Sequence, residues 1–248
     1  MTKTRCLFVL PSLGGGGAER VVTTLLNHLD PNRFDLHLAV AKTVGPLVNA
    51  LPEHVALHDL KANRVGRALI PLTQTVRSLK PHVVFSTLTH MNLATALTKS
   101  AWPRNTRLVL RETNQLDRVL SNSWFPSFRR WLYRWLYLQA DAIVCQTTHM
   151  VAELGRVLNL PASRLLVVPN PVDFAAIRQA AAQQPLQLET EGPHIVALGR
   201  LRQVKGTERL LDAFPALLQQ HPWAQLWLLG DGPCQSELRQ QASELGID

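Results

Sequence analysis

Arg200 and Lys205, in the segment Gly199-Arg200-Leu201-Arg202-Gln203-Val204-Lys205-Gly206, are the residues whose types and spacing best suit chemistry. The segment follows an apolar run at 194–199 that is expected to be a strand, and open α/β sheets bind ligands at the carboxyl ends of their strands. Arginine grips phosphate oxygens through parallel hydrogen bonds, and lysine acts as a compact point charge. Together they suit a diphosphate, including one that departs with developing charge. A solvated basic loop would carry the same residues. Further on, Leu229-Gly230-Asp231-Gly232-Pro233 ends a second apolar run. Its glycines permit close backbone approach, and its proline suits the first turn of a following helix.

A glycine-rich segment near the start, Leu13-Gly14-Gly15-Gly16-Gly17-Ala18-Glu19-Arg20, sits between an expected strand and an expected helix. Glycines there let backbone N–H groups face a phosphate or a sugar at the positive helix end, although a tight turn without a ligand has the same composition. The segment is not a dinucleotide fingerprint. Glu19 stands where the third glycine belongs, and no acidic residue ends the second strand, which argues against a nicotinamide-dependent oxidoreductase. His90, in Thr89-His90-Met91-Asn92, follows another expected strand. It suits either proton transfer in a cleft or a structural role. Val168-Pro169-Asn170-Pro171-Val172-Asp173 reads as a rigid loop, more structural than chemical.

The elements that position these residues follow from periodicity. Apolar runs alternate with amphipathic stretches, the pattern of a parallel sheet with crossover helices, so the class is α/β. Strands are expected at 5–10, 35–41, 55–59, 82–86, 107–111, 142–146 and 165–168, a complete Rossmann-like domain. Helix 18–29 places Val22, Leu25, Leu26 and Leu29 on one core-facing stripe. Residues 175–192 shift to alanine, glutamine and then acidic residues, which suits a linker. The pattern then restarts with strand 194–199, helix 207–220, strand 225–229 and helix 234–245. The expected division is therefore a first domain at 1–180, a linker at 181–192 and a partial second Rossmann-like domain at 193–248.

Composition narrows the setting. The chain has 248 residues, of which 46% are hydrophobic, enough for a substantial core. Cys6, Cys145 and Cys234 form neither a C-x-x-C pair nor a zinc spacing, so no metal is expected and a reduced, cytoplasmic setting is. No stretch approaches the roughly 20 apolar residues of a membrane-spanning helix. The net charge of +8 is uneven: residues 1–180 hold 21 Lys and Arg against 10 Asp and Glu, whereas 181–248 hold 5 against 8. A basic face serves nucleic acid, an anionic membrane or a phosphorylated substrate. No helix-turn-helix, zinc or RNA-binding signature accompanies it, so nucleic acid is not an expected partner.

Taken in order, Gly-Gly-Ala-Glu-Arg at 16–20, Val-Pro-Asn-Pro-Val-Asp at 168–173, Gly-Arg-Leu-x-x-x-Lys-Gly at 199–206 and Leu-Gly-Asp-Gly-Pro at 229–233 resemble glycosyltransferase family 4, the retaining GT-B enzymes that use nucleotide-sugar donors. The resemblance covers essentially the whole chain. It implies a GT-B-like fold, with Arg200 and Lys205 binding the donor diphosphate. It places Gly16 and Gly17 beside the donor from the facing domain, with Gly230, Asp231 and Gly232 in the donor-side turn. It further implies a UDP- or GDP-linked sugar as substrate, no cofactor or metal, and a glycan or lipid-linked acceptor in polysaccharide or glycolipid synthesis. Two departures stand out. The family's glutamate pair lies beyond the Gly-Asp-Gly-Pro turn, past residue 248, so a non-catalytic acceptor- or membrane-binding module is the alternative reading. The histidine that many relatives carry after the fifth strand is replaced by Arg111-Glu112-Thr113-Asn114.

Residues 124–138 form a basic, aromatic stretch. As a helix it has two readings. With Trp131, Trp135 and Leu138 in a stripe beside Arg130 and Arg134, it can lie on an anionic membrane, making the protein peripheral on the inner face. It can equally turn its aromatic face inward and snorkel its arginines outward.

Overall fold

The computed structural model describes residues 3–114, 116–121, 125–183 and 192–247. The chain packs as two compact units, Met1–Ala175 and Ala176–Asp248.

The first unit is a seven-stranded parallel sheet built from β1 (Thr4–Leu10), β2 (Phe34–Val40), β3 (Ala56–Asp59), β4 (Val83–Thr87), β5 (Arg107–Arg111), β6 (Ala142–Cys145) and β7 (Leu165–Val167). Their order in space is β3-β2-β1-β4-β5-β6-β7. Every expected strand of this domain is present, within one residue at either end. Its helices are α1 (Gly17–His28), α2 (Leu69–Leu79), α3 (Thr89–Thr98), α4 (Leu116–Ser121), α5 (Pro126–Tyr137) and α6 (Thr148–Leu158).

Successive side chains of a strand point to opposite faces, and β1 divides between two cores accordingly. Cys6, Phe8 and Leu10 pack with Val22 and Leu26 of α1 and with Leu36, Leu38 and Val40 of β2. Leu7 and Val9 face the other way, into a core with Leu72 and Val76 of α2, Met91 of α3, and Leu136 and Tyr137 of α5. A strand covered on both faces must be apolar throughout, which is why Cys-Leu-Phe-Val-Leu reads as a continuous run. Each fully buried leucine among these contributes about 1.5–3 kcal/mol relative to exposure.

Strand order reverses between β1 and β4, which are hydrogen-bonded in register from Cys6 opposite Val83 to Val9 opposite Ser86. That reversal opens a crevice at the carboxyl ends of the two strands, the ligand-binding position of doubly wound sheets. The glycine-rich segment leaves β1 there, and Leu88-Thr89-His90 leaves β4 there.

α7 (Phe174–Gln183) spans the boundary between the units and buries none of its residues. The expected linker 181–192 thus begins as the last turn of a helix, and its residues 184–191 lie outside the described ones. The second unit contains β8 (His194–Leu198), α8 (Thr207–Gln220), β9 (Gln225–Leu229) and α9 (Gln235–Glu244). β8 and β9 pair in parallel, from His194 opposite Gln225 to Leu198 opposite Leu229. A small core of Leu201, Leu211 and Leu238, backed by Leu226 and Leu228, holds both helices to them.

Candidate functional site

In the second unit the two glycine-containing loops are stitched into one platform at the carboxyl ends of β8 and β9. Gly199 N donates to Leu229 O at 3.0 Å, Leu201 N to Asp231 O at 3.0 Å, and Cys234 N to Leu201 O at 3.1 Å. The approach is close enough to exclude side chains. A Cβ on Gly230 would lie 1.8 Å from Gly199 O, and one on Gly232 would lie 2.2 Å from Leu201 O. Gly230 also has φ of +159°, at the edge of the range L-residues avoid. The carboxylate of Asp231 turns back to accept the Gly232 N–H at 2.7 Å, so its side chain shapes the turn.

Arg200 and Lys205 are exposed on this platform, and together they line a cavity of about 120 Å³ with Gly199, Leu201 and Thr207. Gly206, in the left-handed conformation, turns the chain into α8, whose first residue is Thr207. Two cations and the positive end of a 14-residue helix therefore meet at one small cavity, an arrangement that favours an anion. A larger groove of about 600 Å³ runs along β9 between α8 and α9, lined by Leu211, Phe214, Leu226 and Trp227 among others. Its lining is mostly apolar, and it lies along the strand instead of at its carboxyl end.

In the first unit, Gly16 caps α1 and Gly17 opens it. Nothing lies within 4 Å of a Cβ built on Gly17, so the space on that side of its backbone is open. The loop after β2 clasps this segment: Leu13 N donates to Val44 O at 3.0 Å, and Leu47 N to Leu13 O at 3.2 Å. Gly45 permits that clasp, with φ of +119° and room for no Cβ, which would stand 2.1 Å from Leu13 O. Arg20 reaches back through Nε to Gly15 O at 3.3 Å.

His90 is exposed in the first turn of α3, at the same crevice. The residue before that helix, Leu88, has φ of +74° and ψ of +126°. A leucine held there is strained by about 1–3 kcal/mol, and such strain gathers at ligand-binding sites.

Beneath His90 is a buried polar network that sequence reasoning did not find. Glu112 is 1% exposed. Its Oε1 accepts from Thr89 Oγ1 at 2.7 Å, Thr113 N at 2.9 Å and Asn114 N at 3.0 Å, and its Oε2 accepts from the Tyr137 hydroxyl. Burial, and then the Glu112 carboxylate, push the Tyr137 phenol well above its usual value. Arg111, 3% exposed, donates through Nη1 to Thr87 Oγ1 at 3.0 Å and through Nη2 to Asn170 Oδ1 at 2.6 Å. Burial lowers the guanidinium pKa, and Glu112 opposes that shift. The available signal was Arg-Glu directly after the buried run Leu108-Val109-Leu110, since charges that finish a core strand need partners. The Val168–Asp173 loop is accordingly tied down by Asn170. Cys145, in the adjacent strand β6, is no nucleophile: burial, then Glu112 and Glu153, push its thiol to about 11.

Residues 15–176 match the model of Glycosyltransferase Family 4, and residues 179–248 match that of Glycosyl transferases group 1. The chain belongs to Glycosyltransferase Family 4. Over 249 aligned residues it is 25% identical to the N-acetylgalactosamine-N,N'-diacetylbacillosaminyl-diphospho-undecaprenol 4-alpha-N-acetylgalactosaminyltransferase of Campylobacter jejuni, covering 96% of this chain and 65% of that one. Over 114 residues it is 32% identical to the lipopolysaccharide core biosynthesis glycosyltransferase LpsE of Rhizobium meliloti, covering 45% of this chain and 31% of that one. Its fold is similar to sucrose-phosphate synthase from Thermosynechococcus elongatus, with a TM-score of 0.75 at 15% identity over 99% of this chain and 68% of that one. The GT-B-like α/β class expected from the motifs is thereby borne out. The chain spans 65% of the Campylobacter relative and a smaller part of the Rhizobium one.

Proposed function

We propose that the protein transfers a hexosyl-type sugar from a UDP- or GDP-linked donor to a glycan or lipid-linked acceptor, with retention of anomeric configuration, in the synthesis of a cell-surface polysaccharide or glycolipid. The observation that carries this reading is the convergence of Arg200, Lys205 and the start of α8 on one cavity. Cleavage of the sugar–phosphate bond leaves its electron pair on the diphosphate. A cation pair and a helix terminus at the departing group stabilise that charge most where it develops, which lowers the barrier. The sugar then carries oxocarbenium character, and an acceptor hydroxyl forms the new bond on the face the diphosphate leaves. These side chains supply the charge that a metal ion would supply elsewhere, so the donor is the one small molecule the reading requires and no resident cofactor or metal enters it.

In the same reading, Gly16, beside the Glu19 carboxylate, and the open backbone of Gly17 border the donor, and Gly230, Asp231 and Gly232 hold the platform. His90 takes the acceptor side, as a hydrogen-bond partner or base for the attacking hydroxyl. The name of the Campylobacter relative, which specifies a diphospho-undecaprenol substrate, supports a lipid-linked acceptor. None of the described helices is long and apolar enough to cross a membrane. The placement we propose is cytoplasmic, peripheral on the inner face of the membrane.

The test is to supply UDP- and GDP-sugars with an undecaprenyl-diphosphate-linked glycan and to read nucleotide release and the anomeric configuration of the product by NMR. Retained configuration is the expected result. An inverted product would overturn the mechanism. Acceptor binding without nucleotide release from any donor would leave a binding module in its place.

A further inference from the structure

α5 is the helix on which the two sequence readings of residues 124–138 differ, and its packing leaves Trp131 and Trp135 outward beside Arg130, whereas Leu138 of the same expected stripe packs against the core. The buried stripe is Tyr133, Leu136 and Tyr137, with Leu132 packed against the same core. Trp131 is 57% and Trp135 45% exposed, and Phe125 at 71% and Phe128 at 61% are outside with them. Trp124 lies outside the described residues. Phe128, Trp131 and Trp135 fall at i, i+3 and i+7, a single outward stripe. Phe128 and Trp131 stack, with ring centroids 5.9 Å apart. Three large aromatic side chains exposed along one helix face, with Phe125 exposed just before it, are unusual in a globular domain and mark a contact surface.

The three arginines of α5 are not equivalent. Arg134 donates through Nη1 to Leu158 O at 2.8 Å and to Asn159 O, and so caps the carboxyl end of α6. Arg129 lies over the Tyr133 ring, 5.7 Å from its centroid. Arg130 is exposed beside the aromatic stripe. With Ser127, Trp131, Arg134 and the Val157–Asn159 turn it lines an open groove of about 420 Å³. Residues 126–137 contain no acidic side chain.

We propose that this face, Phe125, Phe128, Trp131 and Trp135 flanked by Arg130, is the surface by which the protein seats on an anionic phospholipid bilayer, with a lipid phosphate in the Arg130 groove. Aromatic rings partition to the headgroup boundary, and basic residues beside them select anionic lipid. The basic charge of residues 1–180 adds attraction of the same sign. A second copy of the chain fits less well. A two-fold contact through this face would bring the exposed Arg130 of one copy toward that of the other, and α5 carries no acidic side chain to offset it. The inference deepens the proposed membrane placement and rests on no part of the transfer chemistry.

The test is flotation of the full chain, without donor or acceptor, on vesicles of equal parts phosphatidylglycerol and phosphatidylcholine and on phosphatidylcholine alone. The expected result is binding to the anionic vesicles that weakens as salt rises. Arg130→Glu removes one favourable charge and adds an unfavourable one, so it should weaken binding by about thirtyfold, from roughly 1 kcal/mol per charge near the surface. Phe128→Ser with Trp131→Ser should abolish flotation while leaving the thermal midpoint unchanged, because both side chains are exposed. Brominated acyl chains should quench tryptophan fluorescence less in Trp131→Phe than in wild type. Wild-type flotation of these variants, or no flotation of wild type, would overturn the proposal. So would a monomer–dimer equilibrium abolished by the same substitutions, which would assign the face to a second copy. Nucleoside-diphosphate binding by the same variants reads the donor site separately, so either inference can fail alone.

Discussion

The guanidinium of Arg111 and the side-chain amide of Asn170 meet at 2.6 Å, joining the carboxyl end of β5 to the Val-Pro-Asn-Pro-Val-Asp loop 59 residues later. The arginine is almost wholly buried while the asparagine is exposed, so the loop supplies the cap that lets a charge rest inside the sheet edge. Asn170→Ala should cost about 1.5 kcal/mol, the lower end for a hydrogen bond to a charged group, since water can reach part of the site. Urea unfolding would measure it, and an unchanged midpoint would remove the loop from the stability of this edge.

Tyr137 and Glu112 give a prediction in pH. The phenol is neutral when protonated, and its folded pKa is raised above the unfolded value of about 10, first by burial and then by the carboxylate. The folded state holds that proton more tightly. The associated stability is present below pH of about 10 and is lost as pH rises from there toward the folded pKa. Unfolding free energy should therefore fall in strongly alkaline buffer. Tyr137→Phe should flatten that fall, at the cost of a hydrogen bond at neutral pH. An alkaline slope identical in wild type and variant contradicts this.

Gly17 and Gly45 should separate function from folding. A Cβ on Gly17 meets nothing, so Gly17→Ala should leave thermal stability unchanged or raise it by about 0.4–1 kcal/mol, yet lower transfer if a ligand approaches that backbone. At Gly45 the same substitution strains the backbone and collides with Leu13 O, so the clasp on the glycine-rich segment should open. Loss of several degrees in thermal midpoint is expected for Gly45→Ala alone. Equal midpoints for the two variants would mean that the clasp does not hold the segment.

Strand periodicity made most of the fold legible. β1 carries an apolar run because both its faces are covered, and the alternation of such runs with amphipathic stretches placed all seven strands to within a residue. The helix α7 was hidden, because Ala-Ala-Ile-Arg-Gln-Ala-Ala-Ala buries nothing and so carries no core-facing stripe. In the candidate site, the spacing of Arg200 and Lys205 suited a shared anion but equally a solvated basic loop, and it is the fold that brings both to one cavity. The Glu112 network was not readable. Its partners Thr89, Tyr137 and the main chain of Thr113 and Asn114 come together only when β4, β5 and α5 pack, and no local spacing encodes that meeting. For α5, composition showed an amphipathic helix without fixing its rotation. Tyr137 faces the interior, where its hydroxyl donates to the buried Glu112, a partner at the end of β5 that α5's own sequence does not reveal.

The most direct measurement is the specificity constant for transfer from UDP- and GDP-sugar donors by wild type, Arg200→Ala and Lys205→Ala, with circular dichroism confirming that each is folded. Both side chains are exposed, so folding should be unaffected. Each substitution should lower kcat/KM by about 30- to 1,000-fold, the 2–4 kcal/mol of one lost electrostatic donor at a departing charge. Unchanged turnover in both variants would contradict the assignment of this cavity to the donor diphosphate.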